Sequence, residues 1–511
     1  MRVPAAMWLI AIPLLAVPVI YLMGHMSRGR VADFSGPAAA RWTALTALAL
    51  AVFPFAQAAH ELTVSGPATF AVGVIHMRAD GLTLLMAGIA YVLAISAVLF
   101  AGPEMAEEGG EEKFYAVLLI LIGTTVGLVS AGDLFNLWVW FETMAISSYL
   151  LVAFYRDRPA SLEAAIKYLV QSAAGSVLVL LGVALVLAQT GTLDLQQIRA
   201  TATPSLVLLA AGALFLVGFG VKAALVPFHA WLPDAYGEAP TGVSALLSGV
   251  VTEAGLVAML RTLAALAGVS LSWGLLLLGF GVVNMIVGNL MALRQKQVKR
   301  LLAYSSLTHI GYMLLGLGIA IYAGEQAGAQ GSFFHLVNHG LMKGLAFLAA
   351  GALIFALRLR TDDGSAKHGS AEHGPLTISD LSGAARRYPI IVLTLSIALL
   401  GLGGLPPLAG FMSEWQIFTA GFITRNVAIE GLVVFAGLMS VMSLAYYVPL
   451  VNAMYRQEIS EVVQSGESLP GAAMLPLVLL AGAVVAIGLW PALLQWLTAP
   501  AGAALMAAFG G

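Results

Sequence analysis

Eight ionisable side chains sit inside apolar stretches of this sequence: Glu142, Lys222, Glu253, His309, His335, His339, Lys343 and Glu414. Within a membrane-spanning helix such a charge costs about 2.5–3.5 kcal/mol even on lenient insertion scales. Side chains kept there carry ions or protons, or pair with one another to fix neighbouring helices. Glu142 stands in Asn136-Leu137-Trp138-Val139-Trp140-Phe141-Glu142-Thr143, with no basic neighbour in sequence. Lys222 lies among leucine, valine, phenylalanine, glycine and alanine, and Glu253 is flanked by Val250, Val251, Ala254 and Leu256. His335, His339 and Lys343 are spaced four apart, so they share one helical face, with Asn338 beside them. Three potential cations on one face make the protonation of each responsive to nearby charge, which is what a proton relay needs. His309 follows Ser305, Ser306 and Thr308, a polar strip suited to holding water or passing protons.

Each of these residues also has a static reading. The charges could form ion pairs that lock helices together, and His309 alone could be a satisfied core histidine. Two histidines four apart could ligate a haem or a metal, but no other helix offers a matching pair. No metal, cofactor or catalytic centre is therefore expected in this chain. Pro227 and the pair Pro406-Pro407 lie beside Lys222 and Glu414. A proline inside a helix frees backbone carbonyls that must find partners in protein or in a wet cavity, so these positions predict broken helices with a hinge.

The elements that position these groups follow from composition. The 511 residues are 60% hydrophobic and only 10% charged, with a mean hydropathy of +0.92. Soluble domains carry about 25% charged residues, so the chain is expected to be an all-α integral membrane protein. With no cysteine, disulfides and cysteine-ligated clusters are excluded, and a net charge of −2 gives no sign of nucleic-acid binding. Runs long enough to span a bilayer, roughly 20 residues each, give about fourteen helices. They cover 4–23, 42–59, 81–101, 115–131, 134–154, 163–189, 205–230, 240–264, 271–293, 300–322, 332–357, 389–420, 428–455 and 473–497. The first is read as a membrane helix rather than a signal peptide, because no small-residue cleavage site precedes Ser27. The polar loop 358–388, with Asp362, Asp363, Lys367, His368, Glu372 and His373, reads as solvated surface.

Loop charge predicts orientation. With the N-terminus outside, outer segments hold only Arg2, Arg78, Arg199, Arg261 and Arg425, while the sixteen other loop arginines and lysines, from Arg28 to Arg456, fall inside and Lys167, Lys222 and Lys343 lie within helices. Both termini are thus expected on the non-cytoplasmic side of a cytoplasmic (inner) membrane. Two proline-broken spans beside buried ions also hint at inverted repeats, giving residues 1–110 as three leading helices, 111–265 and 266–456 as the repeats, and 457–511 as the last helix.

The stretch Val221 to Gly255, VKAALVPFHAWLPDAYGEAPTGVSALLSGVVTEAG, closely resembles the signature of antiporter-like, proton-conducting membrane subunits. Such subunits occur in respiratory complex I, Mrp-type cation/proton antiporters and membrane-bound hydrogenases. VKRLLAYSSLTHIGYMLLG (298–316), FHLVNHGLMKGLAFLAAG (334–351) and GLPPLAGFMSEW (404–415) agree, in order, across roughly 110–455. The resemblance implies fourteen helices with two inverted five-helix repeats, broken helices 7 and 12, and related antiporter-like subunits as partners in a multisubunit complex. It matches Glu142 and Lys222 to the family's helix-5 glutamate and helix-7 lysine, His309 and His335 to the polar link, and Glu414 to the terminal helix-12 site. Glutamate there resembles the M-type subunit of complex I and the hydrogenase-type subunits. Where the family usually has lysine in helix 8, this chain has Glu253.

The implied function is translocation of protons, or sodium ions, coupled to an NADH:quinone oxidoreductase-like or hydrogenase-like module. In the expected relay, Glu142 holds Lys222 charged until a neighbouring subunit disturbs it. Lys222 then passes its proton along His309, His335 and His339 to Glu414. A charge pair at 4 Å is worth about 4 kcal/mol at an effective dielectric near 20, enough to switch a desolvated lysine. The competing readings are an Mrp-type antiporter subunit without redox chemistry, a haem- or quinone-binding redox subunit, and a scaffold whose charges only pair helices.

Overall fold

Once water is excluded, a backbone surrounded by apolar side chains must satisfy its own hydrogen bonds, and a single segment does so only as a helix. The computed structural model describes residues 4–27, 36–73, 75–106, 110–269, 272–358, 375–469 and 471–510. It begins with α1 (Ala5–Ser27), α2 (Gly36–Leu50) and α3 (Val52–Ser65), followed by the antiparallel hairpin β1 (Ala68–Val72) and β2 (Ile75–Ala79). Next come α4 (Gly81–Ala106), α5 (Glu111–Ser130), α6 (Leu134–Val152), α7 (Pro159–Thr190), the short α8 (Leu195–Thr201) and α9 (Leu206–Lys222). After a non-helical turn, α10 (Leu232–Glu238) leads into α11 (Thr241–Leu246), a π-helical segment Leu247–Val251, and α12 (Thr252–Ala265). Then follow α13 (Trp273–Leu293), α14 (Val298–Ala323), α15 (Gln326–Arg358), α16 (Pro389–Leu402), α17 (Ala409–Ile423), α18 (Val427–Met454), α19 (Glu461–Ser465), α20 (Gly471–Leu489) and α21 (Gln495–Phe509).

Eleven helical stretches among the described residues are long and apolar enough to cross a membrane. Three shorter apolar helices, Leu206–Lys222, Pro389–Leu402 and Ala473–Leu489, take up other expected crossings. At 1.5 Å per residue, α9 reaches only about 26 Å, short of a bilayer core near 30 Å, so α10 completes its crossing as α17 completes that of α16. α6, which carries Asn136 and Glu142 in an otherwise apolar sequence, packs between α5 and α7.

Several expectations change. The segment 60–80, read as a connection, forms the end of α3 and the hairpin, because its alternating residues pair in register from Ala68↔Ala79 to Val72↔Ile75. The second span is longer than 42–59 and is interrupted at Ala51. The chain stays helical beyond residue 497 as α21, which packs on α4 and α15. Arg2, Arg28, Arg30 and the polar residues from Asp362 to His373 lie outside the described residues.

Arg261, expected among exposed loop charges, is 6% exposed and grips Asp80 through two hydrogen bonds of 2.8 and 2.9 Å. This pair joins the end of α12 to the start of α4. Burial pushes the Asp80 carboxyl up, but the Arg261 guanidinium, with Arg78 and the Thr83 amide, outweighs it and holds Asp80 well below the usual carboxylate range. Asp80→Asn strands the buried Arg261 charge and should cost about 3–5 kcal/mol, read as a lower thermal midpoint in detergent. A carboxylate with a lowered folded value stabilises fully above its unfolded value, near 3.9, and loses that contribution only as pH falls through the folded one. The deficit of Asp80→Asn should therefore be the same at about pH 5 as at about pH 7.

Candidate functional site

The break after α9 is built by a proline that lacks an N–H and by an asparagine that replaces the missing ladder. Leu225 N–H donates back to the Gly220 carbonyl and Ala224 takes φ +53, a left-handed helix ending in which most side chains are strained. Asn284 on α13 then bridges the gap, accepting from Val226 N–H at 2.9 Å and donating to the Ala224 carbonyl at 3.1 Å. The break after α16 repeats this pattern: Leu405 N–H donates to Leu400, Leu408 N–H to Leu405 as Phe228 N–H does to Leu225, and Gly404 takes φ +67. Pro227, Pro406 and Pro407 thus lie in the non-helical segments that the sequence predicted.

Lys222 ends α9 fully buried. Its Nζ donates to the Tyr168 hydroxyl at 2.7 Å and lies 3.4 Å from Ser148 Oγ, to which Tyr168 also donates at 3.1 Å. Tyr168 is held by stacking on Trp231 at 4.0 Å, and Trp231 Nε1 donates to the Val221 carbonyl beside Lys222. The expected contact pair with Glu142 is absent. Glu142 is half-buried, within electrostatic reach of Lys222, and none of the hydrogen bonds or ion pairs found among the described residues involves it. It sits at helical spacing within the exposed stripe Phe135, Val139, Ile146 and Leu150, so its carboxylate points to the outside of the bundle.

On the other side of α12 lies a second cluster. Glu253, the second residue of α12, places Oε1 2.7 Å from His339 Nδ1, with both residues buried. The His309 ring is 5.2 Å, centroid to centroid, from both His339 and His335. His309 Nδ1 meets His335 Nε2 at 3.1 Å, and His335 Nδ1 meets Ser413 Oγ at 2.9 Å. Ser413 Oγ also lies 2.9 Å from the Gly410 carbonyl and 3.2 Å from that of Ala409. A neutral imidazole donates from one ring nitrogen and accepts at the other, so the run His309–His335–Ser413 can carry a proton in either direction. Its outer nitrogen, His309 Nε2, has no hydrogen-bond partner, nor have His339 Nε2 and Glu253 Oε2.

Glu414, next to Ser413, accepts from Ser440 Oγ at 2.6 Å and leaves Oε1 without a hydrogen-bond partner, within electrostatic reach of Tyr312 and Tyr447. Donor atoms of His309, His335 and Glu414 all lie within 4.8 Å of one another, a convergence that sequence spacing did not disclose. Lys343 stands apart from this run. Although it shares a helical face with His339, its Nζ is tied to α14 through the Leu302 carbonyl at 2.7 Å and Ser305 Oγ at 2.6 Å. Glu253 is hydrogen-bonded to His339 rather than to His309, and none of the hydrogen bonds found among the described residues joins Lys222 to Glu253. The two clusters share α12 as a wall, where a side chain at Gly255 would come within 2.9 Å of Lys222 Cβ.

The transmembrane family model for NADH:quinone oxidoreductases and Mrp antiporters matches residues 131–443. NADH-quinone oxidoreductase subunit N 1 of Sorangium cellulosum is 34% identical over 484 residues, covering 89% of each chain. A chain of the membrane-bound sulfane sulfur reductase, an archaeal respiratory membrane complex, has a TM-score of 0.85 at 29% identity and covers 99% of this chain and 98% of its own. A chain of the Mrp complex from Dietzia sp. DQ12-45-1b shares the fold over 100% of both chains, with a TM-score of 0.82 at 24% identity.

Proposed function

The chain belongs to the NADH:quinone oxidoreductase/Mrp antiporter transmembrane family, and from that premise we propose that it is the antiporter-like, proton-translocating subunit of a multisubunit membrane complex. The observation that carries this reading is the buried run of titratable groups, Glu253–His339 and then His309–His335–Ser413 beside Glu414, with the His339 and His309 rings 5.2 Å apart. Lys222, bound by neutral hydroxyls, supplies or receives the proton on the first side of α12. Glu142 acts on it at a distance, and its place in an exposed apolar stripe suits contact with a neighbouring membrane subunit rather than lipid, where a carboxylate is costly.

Protons are favoured over sodium because two of the three converging donors are imidazole nitrogens, whereas hard cations of this kind prefer oxygen. Redox coupling is favoured by the relationship to a quinone oxidoreductase subunit N; the likeness to an Mrp chain supports the fold alone. The matched breaks Ala224–Phe228 and Gly404–Leu408 support division into the two repeats 111–265 and 266–456. The inner side is assigned to the end of the bundle carrying Lys299, Arg300, Arg386, Arg387 and Arg456, placing both termini outside a cytoplasmic membrane.

The test is the assembled complex in vesicles carrying separate pH- and sodium-sensitive dyes. Wild type should acidify the lumen, and His335→Ala should abolish acidification with assembly intact. Sodium uptake without a pH change would overturn the choice of ion. Undiminished acidification by His335→Ala would overturn the route.

A further inference from the structure

The face that carries β1 and β2 holds arginines for which proton transfer has no use. A cavity of about 200 Å³ opens there between the hairpin, α8, the end of α12 and α21. Arg78, Arg199 and Arg261 line it against one carboxylate, Asp80. Arg261 already occupies both Asp80 oxygens, while Arg78 comes no nearer to them than 3.9 Å. Arg199 uses one nitrogen on the Ala507 carbonyl, and Nε of the buried Arg261 has no partner. Burial, and then the neighbouring Arg261 charge, lowers the basicity of Arg78 in spite of Asp80. A purely structural ion pair would need only Arg261 and Asp80. Arg78 and Arg199 add two further guanidiniums, and with Asp194 acting on Arg78 beside Asp80 the three arginines still outnumber the two carboxylates by one.

We propose that this cavity is a binding site for a phosphate group, held by the forks of Arg78 and Arg199 with Arg261 behind them. Guanidinium forks match the spacing of phosphate oxygens and bind them in pairs. The rest of the wall is apolar, including Leu260, Ala264, Leu505 and Ala508, and it lies at the ends of membrane helices. That setting suits the phosphodiester of an anionic phospholipid, with a chain lying along α21. Inorganic phosphate offers the same oxygens without the chain.

The full-length chain in detergent, titrated with phosphatidylglycerol, phosphatidylcholine or inorganic phosphate under native mass spectrometry, separates these sources. Phosphatidylglycerol should bind at least about tenfold tighter than phosphatidylcholine, and Arg78→Gln/Arg199→Gln should remove that preference. Phosphate binding that the double variant loses, without a lipid preference, would assign the site to the free anion. Wild type alone gives an independent readout: phosphatidylglycerol or phosphate should slow phenylglyoxal modification of Arg199 by a similar factor. Equal binding of both lipids with no phosphate binding, or no protection of Arg199 by either ligand, would overturn the proposal.

Discussion

Lys222→Met should reduce proton translocation by the assembled complex about a hundredfold or more, to background, while leaving assembly intact. Removing a group that exchanges the transferred proton loses the 10²–10⁴ that positioned acid–base groups contribute. Methionine keeps the length and apolar volume of the lysine stem, so packing against Gly255 is preserved. It also removes a buried amine that, among the described residues, has hydroxyl and aromatic partners at Tyr168, Ser148 and Phe141 and no carboxylate in contact, so stability should not fall. Tyr168→Phe deletes one hydrogen bond to a charged group, worth about 1.5–3 kcal/mol, and should slow translocation about tenfold without abolishing it. Glu142→Gln should be milder than a contact ion pair would predict, because Glu142 reaches Lys222 only through space. Vesicle acidification measured at equal complex content checks all three. Acidification by Lys222→Met at the wild-type rate would remove Lys222 from the route.

Those contacts mark the boundary of what the sequence makes legible. The buried row stands out because charge is rare in such segments, and the spacing of His335 and His339 puts them on one face without any coordinates. Pro227 and Pro406-Pro407 locate the breaks because proline cannot continue a helix ladder. Tyr168, Ser413, Ser440 and Tyr312 give no such signal: a tyrosine or serine in an apolar helix has the same sequence surroundings whether it holds a proton carrier or merely fills the core. Asn284 is hidden for the same reason, since its task is to satisfy a break some sixty residues away. Depth in a span does not report which way a side chain points, so Glu142 passes for a buried group until its neighbours on α6 prove to be exposed. For Lys343 the shared face is legible in the sequence, whereas its hydrogen bonds to Leu302 and Ser305 on α14 are not. The hairpin escapes because its alternation is short, and α21 because it is a short helix that carries Pro500 inside it.

Glu253 is where the family resemblance and the chemistry diverge, and its substitution separates them. An acid in place of the usual base is locally matched: His339 Nδ1 lies 2.7 Å from it, and Lys343 is held away by α14. Glu253→Lys would set an ammonium against the buried His339, leaving an unpaired buried cation at a cost of about 3–5 kcal/mol. Less complex should therefore assemble, and what remains should not pump. Glu253→Gln keeps shape and one hydrogen bond while giving up the titrating group, so assembly should persist and translocation should fall about a hundredfold. Adding His339→Ala to Glu253→Lys should restore part of the assembly, a coupling of about 0.5–3 kcal/mol expected for residues in contact. Assembly measured by native gel and acidification measured in the same vesicles distinguish these outcomes. A Glu253→Lys complex that assembles and pumps like wild type would mean that either sign of charge serves at this position, and the pairing with His339 would have no functional weight.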